Sequence, residues 1–361
     1  MTMASMQPKN LQHARIGYVP MSNSFNSPGD KRRFAYYASN RNLTFEIADP
    51  LKKYDLIILT QNADLSIWSQ YDTGGAKIVY DFIDSYLAIT KDNIKGWMRG
   101  LAKYLSGQSR YLKLNHWKAL EEMCSRADAV VCSTQEQRAD ILKFCRNVHI
   151  ILDAHMGVAR RVKTEFGASR PFRLVWEGLP QNIGSLQMFS YVLDRLRVQY
   201  PVEVHIVTDP YYYKYPGKYG KTNTLNEARK ILPDVHFHEW KEKDLADIIC
   251  SCDLAVIPLN LNDTFASGKP ENKLLLFWRM AMPVVTSPTP AYVRAMRLAG
   301  MNYTARNEAD WLFMLESLIG DATAREQAGL MGKAYVESKF SEATFLARWD
   351  TVFESLGWQY Q

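Results

Sequence analysis

The sequence predicts an α/β protein made of two tandem doubly wound, Rossmann-like domains with parallel sheets. Three observations lead to this prediction. The 361 residues are too many for one ordinary core. Short apolar runs alternate with amphipathic stretches of helix length, and this alternation restarts after Pro171. We place the domains at 1–165 and 166–340, because cations, Gly167 and Pro171 interrupt the pattern between them.

Each element is predicted from its own pattern. In the first domain, β-branched or apolar runs predict strands at 15–20, 44–48, 55–60, 77–81, 129–133 and 149–152. Amphipathic spacing predicts helices at 30–39, 63–70 and 117–126. In the second domain the strands are predicted at 173–176, 202–207, 235–238, 254–258 and 284–287, with helices at 184–199, 226–231, 243–251 and 272–280. After residue 309 the pattern is helical to the end of the sequence.

Composition excludes several classes of protein. The five cysteines form no C-x-x-C pair, and no histidines cluster at zinc-ligand spacing, so we expect reduced thiols in a cytoplasmic protein and no metal site. No apolar run is long enough to span a bilayer, and residues 1–15 lack the apolar core of a signal peptide. We therefore expect neither a membrane span nor secretion.

The net charge of +6 is local. Residues 91–118 contain seven cations and one anion, and the rest of the chain, with 37 cations and 37 anions, is neutral. Apolar residues recur there at helix spacing while Lys95, Arg99 and Lys103 follow another face, which predicts a basic amphipathic helix. Its apolar face packs either on the protein core or on an anionic membrane surface, and a nucleic-acid partner is not indicated.

The most informative segment is 267–287. Pro270 suits the first turn of a helix, so residues 268–271 are expected to present backbone amides at a helix N-terminus, where Glu271 complements the dipole. Such an end binds anions, and Lys273 adds a full charge. The alternative is an ordinary helix start with one surface lysine.

Residues 273–286, KLLLFWRMAMPVVT, resemble the K-L-x-E-Y-x-A-x-G-x-P-V-V segment of GT-B glycosyltransferases, especially the family 4-like group. Lys273 and Pro283 fall in register. Residues 174–184, 253–258 and 127–134 are similar to other strands and loops of that fold, so the resemblance covers most of the chain. It implies two Rossmann-like domains with an inter-domain cleft, an acceptor-binding N-terminal domain, a donor-binding C-terminal domain, and a helix at 341–361 that returns to the first domain.

The sequence departs from that group at three positions. The two glutamates of the family would fall at Gly268 and Leu276, and the second normally binds the nucleotide ribose. Glu271, three residues after Gly268, is the substitute for the first of these glutamates. The glycine before the Pro-Val-Val run is Ala281. Ribose recognition must therefore differ here.

Seven residues are predicted to bind the donor. Ligands of doubly wound sheets bind beyond the carboxyl ends of strands, which points to Gly178 and Asn182 after the first strand of the second domain. Trp240 follows the strand at 235–238, where a base would stack, although a core tryptophan is the alternative. With the segment above, the predicted donor-binding residues are Gly178, Asn182, Trp240, Gly268, Glu271, Asn272 and Lys273.

The acceptor side is predicted in the first domain. Asn26 and Gly29 lie in the loop after the first strand, where the fold places a glycine-rich loop. Asp81 and Asp84 end another strand, and either is a candidate general base if the reaction inverts configuration. The alternatives are a structural Asp81 and a helix-capping Asp84.

The resemblance implies a glycosyltransferase that uses a nucleotide-diphosphate sugar and a glycan or lipid-linked glycan acceptor, the latter presented at the inner face of the membrane. No Asp-x-Asp is present, so we expect no metal ion and no other cofactor. Because both acidic positions are lost, a non-catalytic nucleotide-sugar-binding or scaffolding protein is the alternative. The tyrosine-rich stretch at 211–222 is predicted to be a surface loop, with or without a role in sugar stacking.

Overall fold

The computed structural model describes residues 8–22, 24–25, 27–88, 94–113, 115–215 and 219–361, without the side chains of 94–98, 215 and 219. The chain divides into two compact units. Unit 1 comprises 1–154 and 342–361, and unit 2 comprises 155–341. Among the described residues, no helix has both the length and the apolarity that a bilayer crossing requires.

Unit 1 is a doubly wound α/β domain. Its strands are β1 (Lys9–Asn10), β2 (Ile16–Val19), β3 (Glu46–Ile47), β4 (Leu56–Thr60), β5 (Lys77–Asp81), β6 (Ala129–Cys132), β7 (Val148–Ile150) and β15 (Trp358–Gln359). Its helices are α1 (Pro28–Arg32), α2 (Phe34–Asn40), α3 (Leu65–Trp68), α4 (Ile94–Leu105), α5 (His116–Arg126), α6 (Gln135–Ile141) and α15 (Glu342–Glu354). Six strands form one parallel sheet in the order β3-β2-β4-β5-β6-β7, and β1 pairs with β15.

Unit 2 repeats this architecture. Its strands are β8 (Phe172–Glu177), β9 (Val202–Thr208), β10 (Tyr211–Tyr215), β11 (Tyr219–Asn223), β12 (Val235–Glu239), β13 (Leu254–Ile257) and β14 (Val284–Thr286). Its helices are α7 (Gln187–Gln199), α8 (Thr224–Ile231), α9 (Leu245–Cys250), α10 (Thr264–Ser267), α11 (Asn272–Arg279), α12 (Pro290–Leu298), α13 (Glu308–Gly320) and α14 (Ala322–Lys339). Five strands form a parallel sheet in the order β12-β9-β8-β13-β14.

The C-terminal helix α15 belongs to unit 1. The ring of Trp349 stacks on Tyr37, and the Tyr37 hydroxyl donates to Asp350 at 2.8 Å. Arg41 forms an ion pair with the same carboxylate. The apolar face of α15 is therefore covered by α2.

The domain boundary lies between residues 154 and 155 rather than at 165. Segment 155–165 is attached to unit 2 because the Lys163 ammonium is buried and donates to the carbonyls of Cys250 (3.3 Å) and Cys252 (2.7 Å). A charged side chain buried against carbonyls gives no periodic signal in sequence.

Two elements differ from the sequence-based expectation. The predicted helix at 30–39 is two helices, α1 and α2, interrupted at Arg33, whose backbone is not helical (φ −126°, ψ −122°). The tyrosine-rich stretch is an antiparallel hairpin, β10–β11, in place of a loop. Tyrosine has a high β-propensity, and the pairing partner lies only a few residues away.

The five cysteines are free thiols and all are buried. Burial raises the pKa of Cys250 to about 11 and that of Cys252 to about 12. These thiols are protonated near neutral pH and pack as small apolar side chains.

His116 makes the stability of unit 1 depend on pH. It is buried at the start of α5, and burial, followed by the charges of Lys103 and Arg99, lowers its pKa to about 3. The unfolded chain therefore takes up a proton at higher pH than the folded protein does. We expect the stability contributed by neutral His116 to be full above pH ~6.5 and to fall below it by up to about 1.4 kcal/mol per pH unit.

Urea unfolding at pH 7 and pH 5 measures this effect. His116→Gln should lose less stability than the native protein between the two pH values. The exposed His13→Gln is the matched control and should lose as much as the native protein. Equal losses in all three proteins would contradict the assignment.

Candidate functional site

The carboxyl edge of the unit 2 sheet brings most predicted donor residues together. The backbone N–H of Gly178, after β8, donates to the carbonyl of Val207, and that of Trp240, after β12, donates to the carbonyl of Thr208. The two loops are thus attached to neighbouring carbonyls at the end of β9. Trp240 is half-buried at this edge.

Lys273 lies directly over Gly178. Its Nζ donates to the carbonyl of Glu177, lies 3.3 Å from the Glu177 carboxylate, and is 5.4 Å from the centroid of the Trp176 ring. A Cβ on residue 178 would be 2.8 Å from that Nζ and 2.7 Å from the Trp176 ring. Gly178 is therefore required for the close approach of the lysine to the end of β8.

Asn182 and Lys269 meet beside this position. Asn182 lies in the 3₁₀ segment Pro180–Leu186, and its side-chain oxygen accepts from Lys269 Nζ at 3.2 Å. A second ammonium group, one that the sequence analysis did not single out, therefore lies at the same edge as Lys273.

The start of α11 differs from the prediction in its first turn. Glu271 is the N-cap, the helix begins at Asn272, and Pro270 precedes the cap. The backbone N–H of Gly268 donates to the carbonyl of Thr264, because α10 ends there. Gly268 thus contributes no open amide, and the amides of the first turn of α11 begin at Asn272.

Carboxylates lie near these cations. The pKa of the buried Tyr292 hydroxyl is raised by burial and then by the negative charges of Glu271 and Glu177. Asp209 follows β9, and its pKa is raised by burial and by Glu177 and Glu239. Glu177 and Glu239 end parallel strands and Asp209 directly follows one, so the carboxyl-end rule points to all three even though no motif does.

Leu276, where the related segment carries a glutamate, is buried within α11 and only 2% exposed. Helix α11 itself is held by α14, because Gly329 and Gly332 allow a close approach. A Cβ at residue 332 would lie 2.4 Å from the Trp278 ring, and one at residue 329 would lie 2.1 Å from the Ala281 carbonyl oxygen. Ala281 has φ 53°, the left-handed conformation that glycine favours, which explains why glycine is expected there.

In unit 1, Asp81 and Asp84 lie at the carboxyl edge of the sheet, and their surroundings differ. Asp81 is buried, and both of its oxygens accept from Arg33, the shortest contact being 2.6 Å. Arg33 is also buried and contacts Asp153 at 3.1 Å and the carbonyl of Ile151 at 2.9 Å. Burial alone would lower the pKa of Arg33, but the two carboxylates raise it. Asp81 is therefore committed to a structural ion pair in this conformation and does not present a free oxygen to an acceptor.

Asp84 is partly exposed and is oriented by neutral side chains. Gln61 donates to its carboxylate at 2.8 Å and accepts from its backbone N–H at 3.0 Å. Gln137 donates to its carbonyl at 3.1 Å. Asp84 is thus partly exposed, whereas Asp81 is enclosed in a buried ion pair with Arg33, which makes Asp84 the better-placed candidate of the two.

The loop after β2 is organised by Asp30, which the sequence analysis did not select. Asp30 is buried and accepts from the Tyr18 hydroxyl at 2.8 Å and from the backbone N–H groups of Met21 (2.7 Å) and Ser22 (3.0 Å). A Cβ at Gly29 would lie 2.0 Å from the Met21 sulfur. Gly29 therefore packs closely against the Met21 side chain inside unit 1, and Asn26 lies outside the described residues.

The basic segment 91–118 forms helix α4 followed by the start of α5. Arg99 lies over the Tyr86 ring at 4.6 Å, and burial lowers the pKa of Lys103 to about 8. Several apolar side chains among its described residues are exposed, although Trp117 is buried. Exposed large apolar residues of this segment are Leu101, Tyr104, Leu105, Tyr111 and Leu112. Residues 91–93 and 114 lie outside the described residues.

No protein-family model matches the sequence, and no curated protein matches it. Several solved structures, however, are similar to this chain in fold. HepE from Anabaena, crystallised with UDP and glucose, aligns with 95% of this chain and 100% of its own at a TM-score of 0.61 and 12% identity. WaaG, described as a glycosyltransferase involved in lipopolysaccharide biosynthesis, aligns with 93% of this chain and 97% of its own at a TM-score of 0.54 and 11% identity. TarM aligns with 82% of this chain at a TM-score of 0.58 and 11% identity, and this chain spans about half of TarM, 54%.

These structures share two Rossmann-like domains and differ from this chain in nearly nine residues of ten, so the likeness concerns the fold. With a parallel doubly wound sheet in each unit and α15 returning to unit 1, the protein has the GT-B fold of glycosyltransferases.

Proposed function

We propose that this protein is a glycosyltransferase that moves a sugar from a nucleotide-diphosphate sugar to a glycan or lipid-linked glycan acceptor. The observation that carries the proposal is the likeness over nearly the full chain to HepE, whose structure contains UDP and glucose. It is supported by the cations and the half-buried tryptophan at the carboxyl edge of unit 2, where doubly wound sheets bind nucleotides.

The donor roles follow from charge and shape. Lys273 and the N-terminus of α11 face the same edge, so both stabilise a diphosphate, and this stabilisation grows as negative charge develops on the leaving group. Lys269 adds a second cation. The ring of Trp240 stacks on the base, and Glu177, beside Lys273, accepts hydrogen bonds from ribose or sugar hydroxyls in place of the glutamate replaced by Leu276.

On the acceptor side Asp84 is the candidate base or orienting group, and Asp81 holds Arg33. A base must reach the attacking hydroxyl, which a partly exposed carboxylate can do and a buried ion pair cannot. Because the two lysines and the helix dipole meet the charge of the diphosphate, we propose that transfer needs no resident metal ion.

A non-catalytic nucleotide-sugar-binding or scaffolding protein is the second candidate. The specific observation in its favour is Leu276, a buried apolar side chain at the position where the resembling enzymes carry a ribose-binding glutamate. This candidate predicts tight binding of the nucleotide sugar without turnover.

A panel of UDP-, GDP- and TDP-sugars separates the two candidates. Thermal shift identifies the nucleotide sugar that binds, and release of nucleoside diphosphate is then measured with and without glycan and lipid-linked acceptors. Release that depends on an acceptor supports the transferase. Binding without release supports the scaffold, and the absence of binding to every nucleotide contradicts both.

We also propose that segment 91–118 contacts an anionic membrane surface, which would bring a lipid-linked acceptor to unit 1. The exposed Leu105 (74%) and Leu101 (47%) lie beside a concentration of cations, and such a combination favours an anionic bilayer.

Liposome flotation tests this contact. The native protein should float with vesicles that contain phosphatidylserine and float less with neutral vesicles. Leu101→Ser/Leu105→Ser should reduce the recovered fraction several-fold, whereas Leu51→Ser, at a leucine of unit 1 that is more exposed than either (87%), should not. Equal recovery of all three proteins with both vesicle types would contradict the membrane contact.

A further inference from the structure

Three histidines and a glutamate share one face of the unit 2 sheet. In the parallel register, His236 on β12 lies opposite His205 on β9. Glu203 precedes His205 by two residues and His238 follows His236 by two, so all four side chains point to the same face. The alternate residues of β9, Val204 and Ile206, are buried in the core on the other face.

Three of these side chains converge on one point. Nε2 of His205 lies 3.6 Å from one Glu203 carboxylate oxygen, and Nε2 of His236 lies 3.7 Å from the other. The three candidate ligand atoms are all within 4.8 Å of one another. Ligands at about 2.0–2.1 Å from a tetrahedral zinc ion are about 3.3 Å apart, so small side-chain rotations complete the geometry.

The two nitrogens of His205 have different surroundings. Its Nδ1 is hydrogen-bonded to Nε2 of His238 at 2.9 Å. Its Nε2 is buried and makes no hydrogen bond, because the Glu203 oxygen is too distant. A histidine that ligates a metal commonly uses one ring nitrogen for the ion and the other for a neighbouring polar group, which is the arrangement here.

We propose that Glu203, His205 and His236 bind a divalent transition-metal ion of the zinc class, with His238 orienting His205 from behind. The set of two imidazoles and one carboxylate suits zinc. The fourth position is open, since the side chain of His236 is 49% exposed. The ion would connect the edge strand β12 to β9.

One neighbouring charge opposes the ion. Nε of Arg173, on β8, lies 4.0 Å from the Glu203 carboxylate. Bound metal must displace this contact, so binding is expected to be weaker than in a site without a nearby cation, and Arg173→Met is expected to strengthen it.

This site is distinct from the proposed donor site and does not depend on it. The four residues lie on the face of the sheet, whereas Lys273 and Gly178 lie beyond its carboxyl edge. The spacing of residues in the sequence does not indicate this cluster, because its members lie on two different strands. His205 and His238, for example, are 33 residues apart.

Metal titration of the full-length, untagged protein after chelator treatment tests the proposal. We expect one equivalent of Zn²⁺ to bind by calorimetry and to raise the melting temperature. Co²⁺ should give the visible bands of a low-coordinate nitrogen and oxygen site without a thiolate charge-transfer band. Such a band would assign the ion to cysteine and overturn the proposal.

Variants locate the ion. His236→Asn and Glu203→Gln change partly exposed side chains, so both should keep the native circular dichroism spectrum while losing the bound equivalent. His238→Phe should weaken binding by about 10- to 100-fold, as expected for a group that supports a ligand. His13→Asn, an exposed histidine of unit 1, is the control and should bind as the native protein does. No binding by the native protein, or unchanged binding in His236→Asn and Glu203→Gln, overturns the assignment.

Discussion

Replacing Arg33 by methionine is expected to destabilise unit 1 by about 3–5 kcal/mol, because the change leaves the buried Asp81 carboxylate without its cation. Arg33 and Asp81 are each 1% exposed, and Asp153 and the Ile151 carbonyl lose the same partner. Urea unfolding monitored by tryptophan fluorescence measures the loss.

Two further variants make this result specific. Arg33→Met/Asp81→Leu removes both charges and should recover part of the lost stability, since the uncompensated carboxylate is gone. Arg15→Met breaks an exposed ion pair with Glu46 and should leave stability nearly unchanged. An Arg33→Met protein as stable as the Arg15→Met control would contradict a structural role for the pair and return Asp81 to the candidate bases.

Replacing Lys273 by methionine is expected to weaken binding of the nucleoside diphosphate by about 10- to 100-fold, the effect of one charge-assisted contact to phosphate. Methionine keeps most of the side-chain volume over Gly178 and Trp176 and removes only the charge. Calorimetric titration with the diphosphate found in the panel measures the change.

Lys230→Met is the matched control, because this lysine lies on the exposed surface of α8 and forms an ion pair with Glu227 of the same helix. Its affinity should equal that of the native protein. Equal affinity of Lys273→Met and Lys230→Met would remove Lys273 from the donor site.

The parallel core was predictable from the sequence because buried parallel strands appear as continuous apolar runs. The predicted and observed bounds of β5 are identical, and those of β12 differ by one residue. The fold prediction is confirmed by this topology and by the solved structures. The break at Arg33 was missed, since the buried ion pair joins residues that are 48 positions apart and leaves the local helical pattern intact.

The candidate site was predictable only where a topological rule applied. The rule that ligands bind at the carboxyl ends of strands found Gly178 and Trp240, and it also covers Glu177, which was passed over because no motif marks it. Gly268 was selected because residues 268–271 were expected to present free amides at a helix N-terminus, but its amide donates within the end of α10. The roles of the selected residues in binding and transfer remain predictions.

Hydrogen–deuterium exchange with the tightest-binding nucleoside diphosphate tests the central claim most directly. The account predicts that the ligand protects the segments after β8 and β12 and the first turn of α11, around residues 177–184, 239–242 and 268–276, and that Lys273→Met lowers this protection. Protection confined to unit 1, or the same protection in Lys273→Met as in the native protein at equal ligand concentration, would contradict a donor site at the carboxyl edge of unit 2.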